Sequence, residues 1–388
     1  MIKIDYCRGF LMVGLLFLVP CCVQQYNPPV VSNNYNYLVV DGLINSGQDS
    51  TYFTLSRTSS IYDTSQTLKA ELNASIVIEG SGSDNYPVME IGNGMYGSPP
   101  LPLNPQEQYR VKINTINGEQ YLSDLVPIKT TPPIDSISWI ENDTMGIQFY
   151  ITTHDPLNNT WYYRWTYDQT WEHRSVYASL LVWENGQLEE RDMNVHDGQQ
   201  LYRCWTTLGS TDIQIATSAK LGKDIIYENP LLVVPEGSTD MDYEYSLLVK
   251  QYAITQDAYN YWQLLKLNTE QLGTIFSPLP SQVTGNIHCI NNPSEPVLGY
   301  ISASSVQESR ILINRYQLAY WEVVPFPEIC GEMRLPDDST VAFYGNPINQ
   351  RLYVPISTVM GATLYTPQYC GSCLYQGGSN TIPSYWPQ

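Results

Sequence analysis

The chain has 388 residues, of which 43% are hydrophobic and 15% are charged, and its formal net charge is −19. The hydrophobic share is enough to build a folded core, while the acidic excess repels nucleic-acid phosphates and anionic lipid headgroups. We therefore expect a folded protein that binds no nucleic acid and does not hold a membrane through a basic face.

A short apolar run opens the chain. Lys3 and Arg8 precede an almost wholly apolar stretch over residues 9–19, and Pro20 ends it. An α-helix needs roughly 20 residues to cross the hydrocarbon core, so this run is too short to span a membrane. It is typical of a secretory signal peptide, which we assign to residues 1–21.

Two adjacent cysteines, Cys21 and Cys22, follow the apolar run and Pro20. Bacterial lipoprotein signals are cut just before a cysteine that carries lipid. We favour Cys22, because lipidation of the runner-up Cys21 would place Pro20 immediately before the cut. Several acyl chains anchor a protein stably where one binds only marginally, and residues 22–34 would then form a lipidated tether. The alternative is a secreted protein whose leader happens to contain two cysteines.

Short strand-like runs separated by turn residues fill residues 35–131. In ASIVIEG, Ile76 and Ile78 fall on one face of a strand, and Asn117-Gly118 between two runs is a strong hairpin signal. The spacing predicts an immunoglobulin-like antiparallel β-sandwich. The stiff TTPP segment at its end marks the predicted domain boundary.

Residues 132–388 are predicted to form a larger β-rich domain with one amphipathic helix. The helical spacing covers residues 256–272, Thr255 is placed to cap its start, and Gly273 follows its end. Other runs in this region alternate as strands do, so we expect a mainly β protein throughout.

An aromatic row stands out in the run WYYRWTYDQTW. A strand there places alternate aromatic side chains on one face, and the residues concerned are Trp161, Tyr163, Trp165, Tyr167 and Trp171. Such a face most often packs in the core of a sheet. The alternatives are contact with a ligand, as a platform on which sugars stack, and contact with a partner protein.

Five cysteines remain after the leader, and an oxidising compartment favours pairing among them. The candidates for disulfides are Cys204, Cys330, Cys370 and Cys373, with the connectivity left open. Cys370 and Cys373 form a CxxC, which also occurs in redox and metal sites. The loop-like sequence after it favours a structural disulfide that pins the C-terminal tail, and we expect no metal.

No motif in the chain predicts catalysis. The four histidines form no HExxH, and the sequence contains no GxSxG elbow, P-loop or Rossmann glycine pattern. Asp240, Asp242 and Glu244 alternate and are predicted to share one strand face, which leaves calcium as a minor alternative. We expect a protein that is not an enzyme and uses no cofactor.

Several segments together resemble the family catalogued as domain of unknown function 4249, lipoproteins of Bacteroidota-type bacteria. They include CVQQYNPP, LVVDGLI, TTPPIDSISW, YYRWTYDQTWE, LYRCW and the long run YNYWQLLKLNTEQLGTIFSPLPSQVTGNI. The resemblance supports Cys22 as the lipidated residue and implies a companion of TonB-dependent outer-membrane receptors. It supplies no catalytic residues. Cys289 is not a position that we recognise in the family, so we expect it to be the unpaired thiol.

The expected function is therefore that of an outer-membrane lipoprotein which helps a TonB-dependent receptor barrel to capture or gate a substrate. One alternative is a stand-alone surface lipoprotein that binds a glycan or another small ligand. A second is a secreted hydrolase whose site is assembled from distant loops. Cys22 is not followed by acidic residues, so outward and periplasmic facings both stay open.

Overall fold

The computed structural model describes residues 36–59, 69–270, 283–323 and 329–387. The predicted signal peptide, the tether and both Cys21 and Cys22 lie outside the described residues, as does the end of the predicted helix. Within the described part of the chain strands predominate, so the mainly β prediction is confirmed.

The first sheet closes on itself like a barrel. Nine of its strands come from the N-terminal region: β1 (Leu38–Asn45), β2 (Thr51–Arg57), β3 (Lys69–Ala70), β4 (Ser75–Gly80), β5 (Asn85–Gly92), β6 (Met95–Ser98), β7 (Gln108–Asn114), β8 (Gln120–Ser123) and β9 (Val126–Lys129). Two more come from far along the chain: β19 (Ile287–Cys289) and β20 (Ala303–Ser304). The closed path runs β7-β4-β5-β6-β2-β1-β20-β9 and returns to β7.

This order is not clearly that of the predicted immunoglobulin-like sandwich. The sheet is mixed, because β20 lies parallel to both of its neighbours: Ile44 pairs with Ala303, and Ala303 pairs with Ile128. A strand delivered from so far along the chain fills the gap between β1 and β9, which would otherwise be the two edges of one open sheet. A pattern read from residues 35–131 alone contains no sign of it.

The local predictions for this sheet are confirmed. Ile76 and Ile78 both point into the core, as the alternation required. The turn at Asn117-Gly118 joins β7 to β8, and Gly118 adopts a φ of 83°, which glycine reaches without strain.

Two antiparallel sheets face each other after residue 132. The smaller sheet contains β10 (Ile134–Asn142), β11 (Gly146–His154) and β17 (Ile225–Val234). The larger contains β12 (Tyr162–Arg174), β15 (Arg203–Gly209), β16 (Gln214–Thr217), β18 (Glu244–Ala253) and β21 (Val306–Asn314). Side chains from both sheets form one core, in which Phe149 stacks on Tyr245 with ring centroids 5.7 Å apart.

The predicted helix is present as α1 (Gln256–Glu270). The Thr255 hydroxyl accepts the Ala258 backbone N–H at 3.2 Å, which is the cap that the sequence predicted. Ala258 and Tyr261 are buried, and Trp262 is half-buried against the larger sheet.

The C-terminal region adds a small sheet and short helices. They are β22 (Met333–Pro336), β23 (Tyr353–Thr358), β24 (Ala362–Pro367), α2 (Asp337–Tyr344), α3 (Pro347–Leu352) and α4 (Gln368–Gly371). A hairpin of β13 (Leu181–Glu184) and β14 (Gln187–Glu190) contacts this region through the Leu180 N–H, which donates to the Ile356 carbonyl.

Two disulfides fasten the C-terminal region. Cys204 is bonded to Cys373 and Cys330 to Cys370, so each cysteine of the CxxC has a distant partner and the two are not bonded to each other. Among the described cysteines Cys289 is free, and it is buried in the core of the barrel-like sheet.

Candidate functional site

An open cavity of about 580 Å³ lies at one edge of the larger sheet. Antiparallel pairing brings the C-terminal ends of β12 and β21 beside the first residues of β15 and β18: Arg174 is opposite Arg203, and Glu244 is opposite Asn314. We call this cavity the arginine pocket. Its lining residues are Glu172, Arg174, Arg203, Asp242, Tyr243, Glu244, Asn314, Arg315, Tyr316, Val323, Trp386 and Pro387.

A buried carboxylate organises two of the arginines. Glu172 is 2% exposed; its Oε1 accepts from Arg174 Nε at 2.6 Å and from Arg203 Nε at 2.8 Å, and its Oε2 accepts from Arg203 Nη2 at 2.7 Å. Burial alone would raise the pKa of Glu172, but the hydrogen bond from Arg203 and the charge of Arg174 outweigh it and hold the pKa below its ordinary value. The side chain therefore stays a carboxylate and fixes both guanidinium groups in place.

Aromatic rings support the same guanidinium groups. The Arg174 guanidinium carbon lies 4.1 Å from the centroid of the Tyr243 ring, and that of Arg203 lies 5.3 Å from the Trp205 ring. Trp386 meets Trp205 edge to face with centroids 6.4 Å apart. Stacked and paired arginines of this kind are oriented before any ligand arrives.

The C-terminal tail forms one wall of the pocket. Ser379 and Trp205 exchange backbone hydrogen bonds of 2.8 and 2.9 Å, and the neighbouring Cys204 is bonded to Cys373. These links hold Trp386 over the sheet edge.

Arg315 differs from the other two arginines. Its Nε is buried without a hydrogen-bond partner among the described residues, and its Nη1 reaches only the Leu318 carbonyl, at 3.4 Å. Glu244, which also lines the pocket, accepts from Asn314 at 2.6 Å. Arg315 is thus the lining arginine with the greatest unused capacity to donate to an acidic group.

The acidic triplet of the sequence does not share one strand face. Asp240 lies in a 3₁₀ turn over Thr239–Met241, Asp242 ends that turn, and the strand begins only at Glu244. Among the described residues no group of three or more His, Cys, Asp or Glu side chains is arranged to hold a metal ion. The turn forms because the Ser238 hydroxyl accepts the Asp240 N–H.

The aromatic row of the sequence lies outside the arginine pocket. Tyr163, Trp165 and Tyr167 are buried in the core between the two facing sheets, and Trp171 packs against that core. Trp161 precedes the strand, is half-buried and donates its N–H to Asp224 Oδ2 at 2.8 Å. The row therefore packs mainly in the core of the sandwich, as the first of its three interpretations expected, and none of its members is among the residues that line the arginine pocket.

The sequence contained one signal for this pocket that pattern reading missed. Glu172 and Arg174 are two residues apart on a predicted strand, so their side chains point to the same face. In a chain with only 15% charged residues, an ion pair inside an aromatic run is unusual.

Among the described residues no helix is both long enough and apolar enough to cross a membrane. No curated protein matches the chain. A comparison with protein families matches residues 23–310 to Domain of unknown function (DUF4249). That stretch contains the barrel-like sheet, nearly all of the facing sheets and half of the residues that line the arginine pocket. The chain belongs to the domain of unknown function 4249 family.

Proposed function

We propose that this chain is a non-enzymatic lipoprotein of the cell envelope. In this proposal Cys22 anchors it in the outer membrane, where it helps a TonB-dependent receptor to capture or gate a substrate. The observation that carries the proposal is the leader over residues 1–21 followed by Cys22, which stands directly before the residues matched to the family. Confinement by a lipid anchor raises the effective concentration of the protein beside a barrel in the same membrane.

The two disulfides support a location outside the cytoplasm. They join cysteines 169 and 40 positions apart, and bonds of this kind persist in oxidising compartments and are rare in reducing ones. A chain that remains in the cytoplasm would gain little from them.

The arginine pocket supports the part of the proposal that concerns capture. Its volume is in the range of about 300–1,000 Å³ in which small-molecule sites fall. Arg315 would donate to an acidic group of the substrate, and Tyr316 beside it, 94% exposed, offers an apolar face.

The decisive experiment is affinity purification of the full-length protein from detergent-solubilised outer membrane, with the intact mass of the mature N-terminus measured in parallel. Wild type, Cys22→Ser and the matched control Cys21→Ser are compared. We expect a lipid adduct on wild type and on Cys21→Ser, a receptor barrel in stoichiometric amount with both, and neither with Cys22→Ser.

Two results would contradict the proposal at different points. A lipidated protein that purifies without a barrel would remove the receptor from it. A mature protein without lipid would remove the anchor.

A second candidate function is stand-alone binding of a glycan. It is favoured by a separate cleft in which an arginine that forms no ion pair within the described part of the chain lies among aromatic rings.

A further inference from the structure

A second cavity, of about 300 Å³, lies between the barrel-like sheet and the outer face of the larger sheet. We call it the sheet–sheet cleft. One wall is formed by β1 and β2 and the loop between them, including Asp41 and Tyr52. The other is formed by β12, β18 and β21, including Arg164, Tyr252 and Glu308.

Arg164 is the unusual side chain in this cleft. Its guanidinium carbon lies 3.9 Å from the centroid of the Trp262 ring and 5.7 Å from that of Tyr252. Among the described residues its guanidinium has stacking partners but no hydrogen bond or ion pair. Burial lowers the pKa of Arg164, and the charge of Asp41 opposes that effect only in part. Guanidinium N–H groups that have no acceptor within the protein normally donate to water or to a ligand.

The charge of the lining argues against a simple anion as that acceptor. Asp41, Asp49 and Glu308 line the cleft against two cations, Arg164 and Lys250, and Lys250 already pairs with Asp168 at 3.2 Å. An anion bound at Arg164 would be repelled by the surrounding carboxylates, and a cation would be repelled by Arg164 itself. A neutral ligand with neighbouring hydroxyl groups can instead accept from Arg164 and donate to Asp41 at once.

An aromatic face is available in the same cleft. The Tyr52 side chain is 53% exposed and lies over Gly97, its partner across the sheet. A Cβ at Gly97 would stand 3.0 Å from two carbons of the Tyr52 ring. The ring therefore occupies space that is open only because residue 97 is a glycine. A half-exposed ring held in this way can stack on the apolar face of a sugar.

We propose that the sheet–sheet cleft binds a neutral carbohydrate, with Arg164 donating to hydroxyl oxygens, Asp41 accepting from hydroxyl groups and Tyr52 stacking on a sugar ring. The volume of the cleft, about 300 Å³, lies at the lower end of the range of about 300–1,000 Å³ for small-molecule sites. The site lies on the outer face of the strand whose opposite face holds the aromatic row. It requires neither the lipid anchor nor a receptor.

The test uses the full mature chain in a detergent without a sugar headgroup. Binding is screened on an array of neutral gluco-, manno-, galacto- and xylo-oligosaccharides, with uronic-acid oligomers and inorganic phosphate as charged probes, and affinities are measured by titration calorimetry. The variants are Asp41→Asn, Tyr52→Ala and Arg164→Gln. The controls are Tyr227→Ala, an exposed tyrosine that does not line the cleft, and Arg315→Ala in the arginine pocket.

We expect at least one neutral oligosaccharide to bind. Each cleft variant should weaken that binding about tenfold or more, since each removes a charge-assisted hydrogen bond or a stacking ring, and the controls should leave it unchanged. Asp41 is exposed, so Asp41→Asn should keep the wild-type melting temperature, which separates loss of binding from loss of fold.

Three results would overturn the proposal. They are no binding of any neutral oligosaccharide, binding that survives in both Asp41→Asn and Tyr52→Ala, and binding of a charged probe that depends on Arg164. Because no receptor enters the assay, its outcome is independent of the affinity purification that tests the proposed function.

Discussion

The cluster around Arg57 and the arginine pocket both combine arginine with glutamate, but in opposite proportions. In the Arg57 cluster a single arginine, 7% exposed, meets Glu71 at 2.6 Å, Glu119 at 2.8 Å and the Tyr121 hydroxyl at 3.2 Å, and Tyr121 in turn donates to Glu295 at 2.8 Å. In the arginine pocket one glutamate serves two arginines. The first cluster lies inside the barrel-like sheet and the second lines an open cavity.

The difference indicates separate roles for similar chemistry. A cluster with excess carboxylate around a buried cation joins β2, β8 and the segment at Glu295. An open cluster with excess guanidinium has donors to offer. We therefore expect changes to the Arg57 cluster to affect stability and changes to the arginine pocket to affect binding.

The largest effect should come from Arg57→Met. Removing the cation leaves Glu71 buried beside other carboxylates, which should lower the free energy of unfolding by about 3–5 kcal/mol. Urea unfolding followed by tryptophan fluorescence measures it. The matched change Arg315→Met should cost less than about 1 kcal/mol, and equal losses for the two variants would remove the distinction between the clusters.

A comparable or smaller effect is expected from opening the disulfides. Each removal should cost about 2–5 kcal/mol, and the Cys204–Cys373 bond should contribute about 1 kcal/mol more than Cys330–Cys370, because it closes the longer loop. The paired variants Cys204→Ser/Cys373→Ser and Cys330→Ser/Cys370→Ser are compared by thermal unfolding.

Only the first pair should also loosen Trp386, the wall of the arginine pocket. Hydrogen exchange of the Trp386 and Trp205 amides measures that effect. Equal protection in both double variants would show that the tail is held without the bond.

The smallest effect is a dependence on pH. Hydrogen bonds from arginine hold the pKa of Glu172 below its ordinary value despite burial. The stability that Glu172 contributes is therefore present above its unfolded pKa of about 4.3 and is lost as pH falls through the lower folded value. Glu172→Gln should be less stable than wild type at pH 7, and the gap should close below pH of about 4. Melting temperatures between those limits check this, and a gap that widens in acid would contradict it.

Local features of the fold followed from the sequence because their partners are close in the chain. The hairpin at Asn117-Gly118, the alternation of Ile76 and Ile78 and the cap at Thr255 each depend on a few neighbouring residues. The aromatic alternation in β12 also identified a buried face correctly.

Features that join distant segments of the chain could not be predicted from the sequence. The pairing of Ile44 with Ala303 changes the architecture of the first sheet. The strand that makes this pairing, β20, has only two residues, which is too short to leave a recognisable pattern in the sequence. The arginine pocket combines side chains from four strands and the tail, and the disulfide connectivity depends on the same three-dimensional arrangement. Periodicity identifies which face of a strand is buried but does not identify the neighbour of that strand.

The insertion of β20 between β1 and β9 has a consequence for the order in which the chain acquires its structure. When a polypeptide emerges from the ribosome or from a membrane pore with its N-terminus first, residues 38–129 appear early, but the strand that completes their ring is delivered only with residues 303–304. Until then β1 and β9 present unpaired edges, which are liable to associate with other chains. A chain cut short before residue 303 would keep those edges and should associate with other chains more readily than the full-length protein.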